Sequence, residues 1–69
     1  MNDLDLYHAC MNFCRAFGDV VAHKLQLDSA RLCFDETQIE QLSHRVKFEE
    51  QRVRDEYNNL CEVIEKLKE

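Results

Sequence analysis

The sequence predicts an all-α protein. The expected form is an antiparallel helical hairpin, two long helices with a short connection, assembling as a dimeric four-helix bundle. Three observations carry that expectation. The 69 residues include one glycine and no proline, so the usual turn and stop signals are almost missing. Apolar residues recur at three–four spacing through both halves, the period of a helix with one buried side. One start signal, FDETQI at residues 34–39, divides the chain. At this length the whole chain, 1–69, is expected to be one domain.

The first helix is expected over about residues 3–26, capped by Asn2 or Asp3. Its apolar residues are Leu4, Leu6, Tyr7, Cys10, Met11, Phe13, Cys14, Phe17, Val20, Val21 and Leu25. At 100° per residue they cover an arc of about 200°. His8, Asn12, Arg15, Asp19 and His23 crowd the other side. Gly18 lies at the edge of the arc. It permits a close backbone approach or marks a bend, and costs roughly 1 kcal/mol of helix propensity against alanine.

The connection is expected at 27–35. Within LDSARLCF, Asp28 or Ser29 is read as the cap of a single turn, with Leu32, Cys33 and Phe34 folding back on the hairpin end. A short connection makes the helices antiparallel neighbours.

The second helix is expected over about residues 36–67, roughly 48 Å long. Asp35 is placed to accept a backbone N–H, and Gln38 to reach back to the Asp35 N–H, a variant of the capping box. Phe34 and Ile39 have the spacing of a hydrophobic staple. Glu36 suits the positive end of the helix dipole. The apolar residues are Ile39, Leu42, Val46, Val53, Tyr57, Leu60, Ile64 and Leu67, with a gap at Glu49 and Glu50. They form a stripe about 80° wide, the width of a coiled-coil seam. Glu50–Arg54 and Glu62–Lys66 have the spacing of favourable i,i+4 pairs.

The two faces do not match. A narrow stripe covers only part of a 200° arc. The uncovered side chains would each forgo roughly 1.5–3 kcal/mol of burial, and monomers rarely leave such a patch open. A second chain is therefore expected on the first helix, at Leu6, Cys10, Phe13, Phe17, Val20 and Val21, most economically as a homodimer. The rival is that residues 28–34 fold over and close the core. The second helix also outruns the first by about 8 residues, so its end is expected to project by about 12 Å.

The stretch DLYHACMNFCRAF, residues 5–17, concentrates a histidine, two cysteines and a methionine. Cys10 and Cys14 sit one turn apart inside the apolar arc, whereas His8 lies about 160° from Cys10. Structural zinc sites use two close ligand pairs, and a second pair is missing. Two cysteines at i,i+4 on one helix are poorly placed for a disulfide. Cys10, Met11 and Cys14 are therefore read as packing residues. Cys33, at the connection, is the most reactive candidate. No metal or cofactor is expected.

Glycine-rich phosphate loops, cysteine–histidine pairs and paired acids in a pocket are also missing from the pattern, so an enzyme is not expected. The net charge is −5, which argues against general nucleic-acid affinity. No stretch approaches a membrane span. MNDLDL carries two acids and no basic cluster, unlike an export or transit signal. A cytoplasmic protein with reduced thiols is expected.

Phe48 falls about 140° from the centre of the second stripe. His44 and Arg52 lie one turn to either side, and Arg45 is close by. An exposed aromatic beside arginine is a common binding hot spot. Phe48, Arg52, His44 and Arg45 are the candidate partner-binding residues. The function expected is a small interaction protein that self-associates and regulates, inhibits or escorts another protein. The alternative is a dimeric nucleic-acid-binding regulator using residues 44–54, although Glu49, Glu50, Asp55 and Glu56 interrupt that basic run. A third reading is a redox or zinc module built on Cys10, Cys14, Cys33 and Cys61.

Overall fold

A computed structural model describes residues 3–68. The N-cap expectation at Asn2 lies outside them. Two helices, α1 (Asp3–Leu32) and α2 (Glu36–Lys68), pack side by side as a hairpin measuring 52 × 14 × 11 Å. Among the described residues no helix is long and apolar enough to cross a membrane.

The hinge differs from the expected one. α1 does not stop near residue 26 but runs on to Leu32, so the connection is only residues 33–35. Asp28 and Ser29 lie inside the helix and cap nothing. Neither glycine nor proline interrupts the run, and Leu27 and Ala30 gain burial by continuing it. The helices are consequently 30 and 33 residues long, and the expected 12 Å projection of α2 disappears. The fold-back of residues 28–34 over the core does not occur either: Leu32 is 81% exposed and Phe34 is 86% exposed.

The turn is built from two caps that share Asp35. The Phe34 N–H donates to the Arg31 carbonyl at 3.2 Å, and the Asp35 N–H donates to the Ala30 carbonyl at 3.1 Å. With Phe34 at φ 56°, this is a Schellman ending. Asp35 then starts α2. Its Oδ1 accepts the Gln38 N–H at 3.2 Å, and its carbonyl accepts the Ile39 N–H at 2.9 Å. The cap expected at Asp35 therefore forms. Its reciprocal half does not, because the Asp35 N–H is already committed to Ala30. The Phe34–Ile39 staple also fails, since the left-handed turn leaves the Phe34 ring in solvent.

The interface between the helices repeats every seven residues. On α1 one row is Leu6, Phe13, Val20 and Leu27, and the other is Ala9, Ala16, His23 and Ala30. On α2 the rows are Ile39, Val46, Val53, Leu60 and Leu67, and Leu42, Glu49, Glu56 and Val63. Three contacts mark the antiparallel register: His23 with Glu49, Asp19 with Arg52, and Phe13 with Tyr57. That register brings Ala9 level with Val63, and Ala30 level with Leu42. Small residues on α1 thus face larger ones on α2 and let the helices approach closely.

The resulting core is thin. Among the described residues the buried ones are Ala9, Ala16, Val20, Leu27, Ala30, Val46 and Val63, and no large side chain is fully enclosed. The i,i+4 pairs expected at Glu50–Arg54 and Glu62–Lys66 do not form among the described residues. Arg54 Nη1 donates to Gln51 Oε1 at 3.2 Å, and Lys68 Nζ stands 3.7 Å from Glu65 Oε1.

Candidate interaction surfaces

The alanine row decides which part of α1 is left open. α2 does not lie over the middle of the broad apolar arc. It lies at one edge of it, against Ala9, Ala16 and Ala30. Counting 100° per residue from that row, Phe17 and Cys10 fall roughly 90° away, and Tyr7, Met11 and Leu25 fall on the far side. All but Cys10 are exposed, Leu25 at 66%. Two of the residues read as packing positions, Met11 and Cys14, are also exposed within a single hairpin.

The expected self-association residues are therefore split by the fold. Val20 is buried against α2, so it belongs to the hairpin core and is not available to a second chain. Leu6, Cys10 and Phe13 are half-buried at the edge of the seam. Phe17 and Val21 remain open.

On the same side of the hairpin α2 contributes Tyr57 and Ile64, both exposed. The Phe13 ring lies 5.9 Å from that of Tyr57 and 6.1 Å from that of Phe17. Phe13, Phe17, Val53 and Tyr57, with Arg54 and Asn58 at the rim, line a shallow groove of about 330 Å³. Toward the tip the groove turns polar, where Lys24, Glu50 and Arg54 join Phe17, Val20 and Val53. The opposite side of the seam carries Asp5, Asn12, Asp19 and Gln26 from α1 and Arg45, Arg52 and Asn59 from α2. The hairpin thus has one apolar flank and one polar flank.

Phe48 lies away from the apolar flank and is 77% exposed. His44 and Arg45 are exposed on the same helix. Arg52 reaches back to α1, its Nη1 3.7 Å from Asp19 Oδ2, with both side chains about half in solvent. A surface pair of this kind contributes little, about 0–1 kcal/mol. The four candidate partner-binding residues therefore share the outer and polar sides of α2, and Arg52 also faces Asp19 of α1.

Sequence reasoning missed two features. Ala9, Ala16 and Ala30 fall on one row, at intervals of seven and fourteen residues, but alanine adds too little apolar signal to mark that row as a contact face. His23 was assigned to the polar side, and Glu49 to a gap in the stripe. They face each other across the seam, Nδ1 to Oε1 at 2.6 Å, with side-chain exposures of only 19% and 12%. At that separation the contact is a hydrogen bond only with a proton on Nδ1, and neither atom has another partner among the described residues.

The four thiols are unpaired: Cys14 and Cys33 are exposed, and Cys10 and Cys61 are half-buried. Among the described residues no three histidine, cysteine or acidic side chains cluster as metal ligands do. At the tip, Gln26, Ser29, Ala30, Cys33, Asp35 and Gln38 border an open hollow of about 270 Å³, where the Ala30 carbonyl, the Asp35 carboxylate and the Gln38 N–H are engaged in the two helix caps. No family model, curated protein or solved structure matches the chain.

Proposed function

We propose that this chain is a non-enzymatic interaction module. It associates with itself, as a dimeric four-helix bundle, and regulates, inhibits or escorts another protein through its outer surface. One observation carries this reading: the apolar flank and back of α1, with Phe17, Val21 and Leu25, stand uncovered beside Tyr57 and Ile64 of α2. An apolar face of this extent on a small helical chain is a contact surface for another chain. Once that face is occupied, Phe48, Arg52, His44 and Arg45 stay outside and are the residues offered to a partner.

Nothing comparable supports the nucleic-acid reading. Arg45 and Arg52 fall on one side of α2, and Lys47 and Arg54 fall on the other, so the basic run of residues 44–54 makes no single positive face.

Absolute mass in solution, by light scattering after size exclusion, tests the proposal. The natural chain is expected at the mass of two chains, and Leu25→Glu at the mass of one with its helices retained by circular dichroism. A folded natural chain that stays at single-chain mass at every concentration overturns self-association. Phe48→Ala with Arg52→Ala is expected to leave the mass unchanged and to weaken capture of a protein from host extract. Unchanged capture removes those residues from the binding surface.

A further inference from the structure

We infer that the occupant of the outer face of α1 is a second copy of this chain, lying antiparallel along it, with the two Gly18 residues meeting near a two-fold axis. This rests on the self-associating reading above, and it places the contact on the side of α1 turned away from α2, so that the four helices lie in a row, α2–α1–α1–α2, rather than closing as a bundle.

Gly18 is the first observation. Nothing in the hairpin needs a glycine there. Its φ is not positive, and a Cβ placed on it would meet no atom within 4 Å. A glycine in a helix interior nevertheless costs about 1 kcal/mol against alanine. The feature that would use the missing side chain lies outside the chain: a second backbone passing close by.

The second observation is a stripe that reads nearly the same in both directions from Gly18. Cys14 and Val21 stand four and three residues away. Met11 and Leu25 stand seven away on either side. Leu4 and Leu32 stand fourteen away on either side. All six are exposed, and Gly18 lies at the middle of α1, which spans Asp3–Leu32. A two-fold contact requires a patch that matches itself. In the antiparallel arrangement Met11 meets Leu25 and Leu4 meets Leu32. The acidic first turn of one α1 then approaches Arg31 in the last turn of the other, and the two helix dipoles oppose.

Size is the third. A compact chain of 8.2 kDa exposes about 4,500 Å². This hairpin exposes 5405 Å², roughly 900 Å² more. A standard interface removes about 800 Å² from each partner. One further copy is therefore the right size of cover.

Site-directed cross-linking tests the arrangement. In a background with Cys10, Cys14, Cys33 and Cys61 replaced by alanine, Gly18→Cys is expected to form a disulfide with itself on mild oxidation, running as a dimer. Leu4→Cys and Leu32→Cys are each expected to stay single, because identical ends lie about 42 Å apart. A mixture of those two is expected to cross-link. A dimer by mass that fails to cross-link through Gly18→Cys, or that cross-links Leu4→Cys to itself, overturns this geometry and leaves self-association standing. A monomer by mass overturns both. A second test keeps the native cysteines. Gly18→Leu adds a side chain that meets nothing inside the hairpin, and is expected to weaken the dimer by about tenfold or more in sedimentation equilibrium. Unchanged affinity overturns the proposal.

Discussion

Phe34 occupies a position that glycine normally fills. Its φ of 56° ends α1 in the left-handed region, at a cost of about 1–2 kcal/mol for a residue with a side chain, and its exposed ring recovers almost none of that. Phe34→Gly is therefore expected to stabilise the fold by about 1 kcal/mol, after allowing for the added freedom of the unfolded chain. The check is the urea midpoint at fixed protein concentration, and a lower midpoint would contradict the cap geometry. A second residue-scale test concerns His23 and Glu49. Removing one partner leaves the other half-enclosed and unpaired, so His23→Leu alone is expected to cost about 1–3 kcal/mol. Replacing both with leucine is expected to recover that loss and to equal or exceed the natural chain, because it makes one more apolar layer of the seam. The double-mutant cycle in urea measures the coupling.

At the scale of the element, α1 and α2 are held by unlike means. α2 presents branched apolar side chains, whereas α1 presents alanines flanked by Phe13, Val20 and Leu27. Close approach depends on those alanines staying small. Ala16 is 1% exposed, so Ala16→Leu is expected to force the helices apart and cost about 1–3 kcal/mol, read as an earlier thermal transition. The start of α2 was legible in the sequence because Asp35 and Gln38 act within four residues, through a local hydrogen bond. The end of α1 was not. Asp28 and Ser29 have cap-forming side chains, but burial of Leu27 and Ala30 against α2 outweighs that local preference. The alanine row was hidden for a related reason. An alanine side chain carries little hydrophobic signal of its own and matters only when a second helix comes close.

For the whole molecule the core is the limiting quantity. Of the seven buried apolar residues among those described, three are alanines, and a single core in a chain of this size supplies at most about 3–5 kcal/mol. Covering the open face of α1 adds burial that the hairpin cannot provide alone. On the proposed self-association, stability would depend on mass action. The thermal midpoint of the natural chain is expected to rise measurably with protein concentration, and that of Leu25→Glu to be lower and independent of it. A concentration-independent midpoint for the natural chain would mean that the thin core suffices.

The sequence by itself determined that the chain is two long helices, where the second begins, and that the first carries more apolar surface than one neighbour can cover. These follow from period, from the lack of glycine and proline, and from one cap, all properties of nearby residues. The tertiary structure decided which edge of α1 meets α2, that Val20 is consumed inside the hairpin, and that His23 and Glu49 meet. It also decided that Phe17, Tyr57 and Ile64 share an open flank. Those outcomes depend on how closely two helices approach and in what register, and both are set by packing between residues far apart in the chain.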